Sequence, residues 1–314
     1  MSVYFDGGDV VLHHGHALDI ARTLPDQSVQ TIVTSPPYFG LRDYGEEGQI
    51  GAEQSPAEYV SALVALFREL RRVLADDGTL WLNLGDSYYS GRGASTGVDE
   101  KNPARRGFVR PLDKPGQPWA RPKNLLLIPH RVAMALQDDG WILRNDIVWA
   151  KPNAMPEAVT DRLAGRHEYI FMLAKQRRYY FDLDAIRQPH QASTVAAAQR
   201  KRIPYEAPGQ KPNMKTRGMN DGGANPGDVW SVTTVPFPGA HFAVYPPELI
   251  RPCILAGSRP GDTVLDPFSG SGTTGAVATF EGRKYVGIDL NREYLDMSLR
   301  TRFSQPSLPW GEIA

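Results

Sequence analysis

Val264-Leu265-Asp266-Pro267-Phe268-Ser269-Gly270-Ser271-Gly272-Thr273-Thr274 reads as a buried strand that breaks into a glycine turn and restarts as a helix. Two glycines so close together let a ligand approach the backbone, and the helix start offers unpaired N–H groups and a positive dipole end. One strand later, Asp289 closes the run Tyr285-Val286-Gly287-Ile288-Asp289, where an acid suits the two hydroxyls of a ribose. Taken alone, Gly270-Ser271-Gly272-Thr273-Thr274-Gly275 also satisfies the dinucleotide pattern G-x-G-x-x-G, a weak signal by itself. Asp266-Pro267 argues against that ligand, because a carboxylate at the strand end repels a pyrophosphate and attracts an ammonium. The loop has no GK[ST], which excludes a nucleoside-triphosphate loop.

Upstream, strand and helix alternate. Val29 to Thr34 suits a buried parallel strand. Ser55-Pro56-Ala57-Glu58 is a capping box with proline at the first helical position, and Tyr59, Leu63, Leu66, Phe67, Leu70 and Leu74 follow at helical spacing, with Gly78 placed to close the helix. Thr79 to Leu84 reads as a strand, Leu125 to Gln137 as a helix, and Trp141 to Trp149 and Glu168 to Ala174 as strands. Pro247 to Ala256 reads as a helix ended by Gly257, Thr263 to Asp266 as a strand, and Thr273 to Phe280 as a helix. Lys284 to Asp289 is then a strand and Glu293 to Arg302 the last helix. This alternation predicts an α/β fold built on a doubly wound, mostly parallel sheet, with ligands beyond the carboxyl ends of its strands.

Thr34-Ser35-Pro36-Pro37-Tyr38 follows the first of these strands and so falls at that rim. Two prolines fix the backbone and remove two donors, which leaves stiff carbonyl acceptors beside the Ser35 hydroxyl and the Tyr38 ring. An exocyclic amine has two hydrogens to donate and a ring to stack, and the corner answers both needs. Methylating such an amine needs no covalent nucleophile, so positioning and electrostatics carry the rate.

The pairing of this corner with the glycine loop resembles the amino-methylating DNA methyltransferases, and the order, corner first and loop near the C-terminus, resembles their beta group. The likeness extends through Asp146-Ile147-Val148-Trp149-Ala150-Lys151-Pro152-Asn153, Arg166-His167-Glu168-Tyr169-Ile170-Phe171 and His241-Phe242-Ala243-Val244-Tyr245-Pro246. It implies a Rossmann-like methyltransferase fold with permuted motif order and S-adenosylmethionine as cofactor. By resemblance, Ser35 and the Pro36 carbonyl, within the Ser35-Pro36-Pro37-Tyr38 corner, receive the target amine and Tyr38 stacks on the flipped base. Asp266, Phe268, Ser269, Gly270, Gly272 and Thr273 line the methionine end, Asp289 binds the ribose, and His241, Phe242 and Tyr245 close the pocket. Serine at the head of the corner is associated in this family with N4 of cytosine, whereas Asp or Asn is associated with N6 of adenine. One departure stands out: where the family often shows Gly-Asp near the N-terminus, this chain has Gly15-His16.

The target atom is paired inside a duplex, so the base must be rotated out and double-stranded DNA must be gripped. Lys plus Arg equal Asp plus Glu at 35 each, so any DNA-binding charge must be local. Two Gly/Pro/Asn-rich stretches gather it. One, about 87–123, includes Arg105 and Arg106, candidates for phosphate or guanine contacts. The other, about 188–227, includes Arg200, Lys201, Arg202, Lys215 and Arg217 and is read as an inserted target-recognition region. The chain then divides into a catalytic part at 1–187, that region at 188–227, and a cofactor-binding part of the same domain at 228–314.

Beta-group relatives often pair, so the resemblance implies a homodimer, while a companion restriction endonuclease is left open. The single cysteine and the absence of an export signal or long apolar run suit the cytoplasm and no membrane. Pro252-Cys253 resembles the nucleophile of enzymes that methylate carbon 5 of cytosine, but its helical context reads as a core thiol. His13, His14 and His16 lack the partners of a metal site, so none is expected. Trp81, Trp141 and Trp149 read as core. The rivals are a nicotinamide-dependent oxidoreductase, which must bind NAD, and a non-catalytic DNA-binding relative, which must bind no cofactor.

Overall fold

A computed structural model describes residues 3–41, 46–93, 110–199, 220, 222–235 and 244–303. Strands β1 (Val3–Asp6) and β2 (Val10–His14) form an antiparallel hairpin. Helix α1 (Ala17–Ala21), strand β3 (Val29–Thr34), helix α2 (Pro56–Val73) and strand β4 (Leu74–Leu84) follow. Next come α3 (Ile128–Asp138), β5 (Ile142–Ala150), β6 (His167–Ala174), α4 (Ala192–Gln199) and β7 (Val229–Ser231). The chain continues through α5 (Pro247–Gly257), β8 (Thr263–Asp266), α6 (Thr273–Phe280), β9 (Lys284–Asp289) and α7 (Arg292–Ser298), which widens into a π turn over Leu299–Phe303.

The described residues build one nine-stranded sheet in the order β1-β2-β9-β8-β3-β4-β6-β5-β7. Its centre, from β2 to β4, is parallel. β6 runs antiparallel to both β4 and β5, so β5 points the same way as β3 and β4. Successive side chains of a strand face opposite sides. Ile32 accordingly joins the core under α1, α2 and α3, while its neighbour Val33 joins the core under α5, α6 and α7. Helices therefore cover both faces, as doubly wound sheets require. Among the described residues, no helix is long and apolar enough to cross a membrane.

The capping box of α2 is formed: Ser55 Oγ accepts the Glu58 N–H at 3.3 Å, and the Glu58 carboxylate accepts the Ser55 N–H at 3.1 Å. Gly78 does not close that helix. The chain leaves it at Leu74, which is extended, and a Cβ on Gly78 would fall 2.8 Å from the Gln30 carbonyl inside the sheet. Helix α3 starts at Ile128 rather than Leu125, because Leu127 is left-handed (φ 55°) and the Asp86 carboxylate accepts the Ile128 N–H at 3.0 Å. Short strands β1, β2 and β7 and helices α1 and α4 escape a reading built on long periodic runs. The basic stretch 87–123 is not all surface loop: Tyr89 and Leu112 are buried, and Trp119 packs between Tyr89 and Phe39.

Candidate active site

Strand β3 delivers Thr34 to the sheet rim beside the end of β8, where its hydroxyl donates to Asp266 at 2.6 Å. That bond ties the Ser35-Pro36-Pro37-Tyr38 corner to the glycine loop. A cavity of about 720 Å³ opens above it, walled by Ser35, Pro36, Pro37 and Tyr38 on one side and by Phe268, Ser269, Gly270 and Thr273 on the other. The volume falls within the ~300–1,000 Å³ usual for small-molecule sites.

Asp266 is placed differently from the sequence expectation. It is 1% exposed and is not part of the cavity wall. Its carboxylate accepts from the Thr34 and Thr274 hydroxyls at 2.6 Å each, the Phe268 N–H at 3.0 Å and the Tyr245 hydroxyl at 3.1 Å. A carboxylate offers about four acceptor positions. All are taken by the protein, so Asp266 braces the two segments from below. Burial raises its pKa, which these four donors oppose. Gly272 also sits off the wall. It caps α6 with φ +77°, and a Cβ there would lie 2.8 Å from Ser298 Cβ.

Asp289, at the end of β9, does line the cavity. Its two oxygens accept the Gly270 and Asn291 N–H groups at 2.7 and 2.8 Å, and burial raises its pKa to about 6. Tyr245 lies on the wall with its hydroxyl on Asp266; His241 and Phe242 lie outside the described residues. Arg105, Arg106, Arg200, Lys201, Arg202, Lys215 and Arg217 also lie outside them. His16, the departure noted above, is on the wall.

Within the corner, the Pro37 carbonyl is not a free acceptor, because it takes the Tyr59 hydroxyl of α2 at 2.9 Å. The Tyr38 hydroxyl donates to Glu168 at 2.7 Å and lies 3.1 Å from the Asn83 oxygen. Its ring is seated on Gly85, where a Cβ would come within 2.5 Å. Burial, then the Glu168 charge, hold the Tyr38 pKa well above the ordinary tyrosine value, so it is a donor at neutral pH. Glu168 forms an ion pair with Lys151, whose ammonium sits 4.1 Å over the Trp149 ring.

Asn83, Trp149, Lys151 and Glu168 all line the cavity; sequence reasoning read Trp149 as core and assigned the other three no role. Trp149 is both core and wall, being 3% exposed. The missed signal was the orientation of β6, which puts its first residues at the active rim. Cys253 is buried in α5, and burial pushes its thiol up, away from thiolate chemistry.

A family model for N6/N4 methyltransferases, described as DNA methylase, matches residues 29–300. The chain is 50% identical over 288 residues to the type II methyltransferase M.Cfr9I of Citrobacter freundii, covering 92% of this chain and 86% of that one. Its fold is similar to that of the PvuII DNA methyltransferase (cytosine-N4-specific), with a TM-score of 0.63 at 20% identity over 97% of this chain and 89% of that one. It is also similar to TTHA0409 of Thermus thermophilus, a putative DNA modification methylase solved with S-adenosyl-L-methionine, with a TM-score of 0.56 at 22% identity over 93% and 94% of the two chains.

Proposed function

The chain belongs to the DNA methylase family, and from that premise we propose that it methylates N4 of cytosine in duplex DNA, using S-adenosylmethionine. The observation that carries this reading is the single cavity shared by the corner and the glycine loop, pinned together by the Thr34–Asp266 bond. The residues present fit the cofactor. Gly270 is left-handed (φ +52°), and a Cβ there would meet nothing nearer than 3.9 Å, so backbone lies open to the cavity; Asp289 keeps acceptor capacity for a ribose. When bound, S-adenosylmethionine supplies a methyl carbon activated by a sulfonium.

The chain's own residues do the rest. Phe268, Ser269, Gly270 and Thr273 would hold the methionine end, Asp289 the ribose, and Val244 and Tyr245 the neighbouring wall. Ser35 and the Pro36 carbonyl would accept the hydrogens of the target amine, freeing its lone pair from ring conjugation. Tyr38 would carry the extruded base on its ring. These groups act by position and charge, which is where such a transfer gains its rate. The serine at the head of the corner and the fold likeness to a cytosine-N4-specific enzyme support cytosine over adenine.

Incubating duplex DNA with the protein and labelled cofactor, followed by nucleoside digestion and mass spectrometry, tests the reading. N4-methylcytosine is the expected product. N6-methyladenine alone overturns the choice of base, and no transfer by folded protein overturns the activity.

A further inference from the structure

The corner is wired to a buried charge. β6 enters at the active rim because it is antiparallel to β4, and its register sets Glu168 opposite Trp149 at the end of β5. One Glu168 oxygen takes the Lys151 ammonium. The other takes the Tyr38 hydroxyl at 2.7 Å and lies 3.4 Å from the Asn83 amide nitrogen. Both members of the ion pair are 17% exposed. A chain therefore runs from Lys151 through Glu168 to Tyr38, and all three residues line the cavity beside Ser35.

The hydrogens along this chain point one way. A hydroxyl has one hydrogen and two acceptor positions. The Glu168 oxygens face Lys151 on one side and Tyr38 on the other, so the Tyr38 hydrogen points to Glu168. An ion pair serving packing alone would not need its free carboxylate oxygen on the aromatic ring of the corner.

Resting on the amine-methylation reading above, we propose that Glu168 is a positioning residue: held by Lys151, it fixes the Tyr38 ring through its hydroxyl in the place where that ring meets the target base. Tyr38→Phe cuts the chain without stranding a buried charge, and Glu168→Gln replaces a charge-assisted bond by a neutral one. We expect Tyr38→Phe to lower kcat on the order of tenfold to a hundredfold, with KM for DNA within about threefold of wild type. Glu168→Gln should lose less, because its amide oxygen still accepts, and the double variant should match Tyr38→Phe alone, since both changes break one chain.

Wild-type kcat in Tyr38→Phe, or losses that multiply in the double variant, would overturn the proposal; the second outcome would mean that Glu168 acts on substrate independently. If Glu168→Gln fails to fold, the kcat-against-KM split of Tyr38→Phe still decides. Absence of transfer by the wild-type protein would instead sink the methylation reading, and this inference with it.

Discussion

Burial raises the Asp289 carboxyl from 3.8 to about 6, and the nearby Asp266 charge pushes the same way, against the N–H groups of Asn291 and Gly270. The folded protein thus holds a proton between these values that the unfolded chain has released. Stability from this group is fully present below 3.8 and is lost as pH rises through about 6. A ribose that donates to Asp289 favours the ionised form and reverses the trend for binding. Affinity for S-adenosylhomocysteine, measured by titration calorimetry, should be flat above about 6 and fall by up to about tenfold per pH unit below it. Asp289→Asn should bind more weakly and lose that dependence; an unchanged pH profile in the variant would place the titrating group elsewhere. The residue type of Asp289 and its strand-end position were legible in the sequence. That the Asp266 carboxylate is taken up by protein donors was not legible, because one of those donors is Thr34, far away in the chain.

At the scale of elements, helix α5 ends against the sheet at Gly257. A Cβ there would fall 2.7 Å from the Thr31 and Thr79 hydroxyls and 2.9 Å from the Trp81 ring nitrogen. The sequence presents Gly257 as a helix terminator, but it is a close-approach glycine. Gly257→Ala should destabilise by about 1–3 kcal/mol, as overpacked cores do. A thermal melt reads this directly, and an unchanged Tm would show that α5 can shift outward freely. Strand β3 and helix α2 were legible because an apolar run and a capping box are local signals. The reversal of β6 was not. A strand's direction leaves no mark in its own period-two pattern, and only pairing with both β4 and β5 reveals that Glu168 stands at the active rim.

For the molecule as a whole, balanced charge means that DNA must be held by local basic patches. If Arg105 and Arg106 touch phosphates, replacing both by Ala should weaken binding and flatten the log K against log salt slope by about one for each phosphate left unneutralised. An unchanged slope, by fluorescence anisotropy at several salt concentrations, would remove them from the interface. By itself, the sequence determined the layered α/β fold, the glycine loop and the proline corner, because strand period, helix caps and fixed proline dihedrals act within a few residues. Tertiary structure alone decided that Asp266 is a closed brace and that Tyr38 answers to Glu168. Those bonds join residues 232 and 130 positions apart, and their partners are set by sheet order and register, to which no local signal speaks.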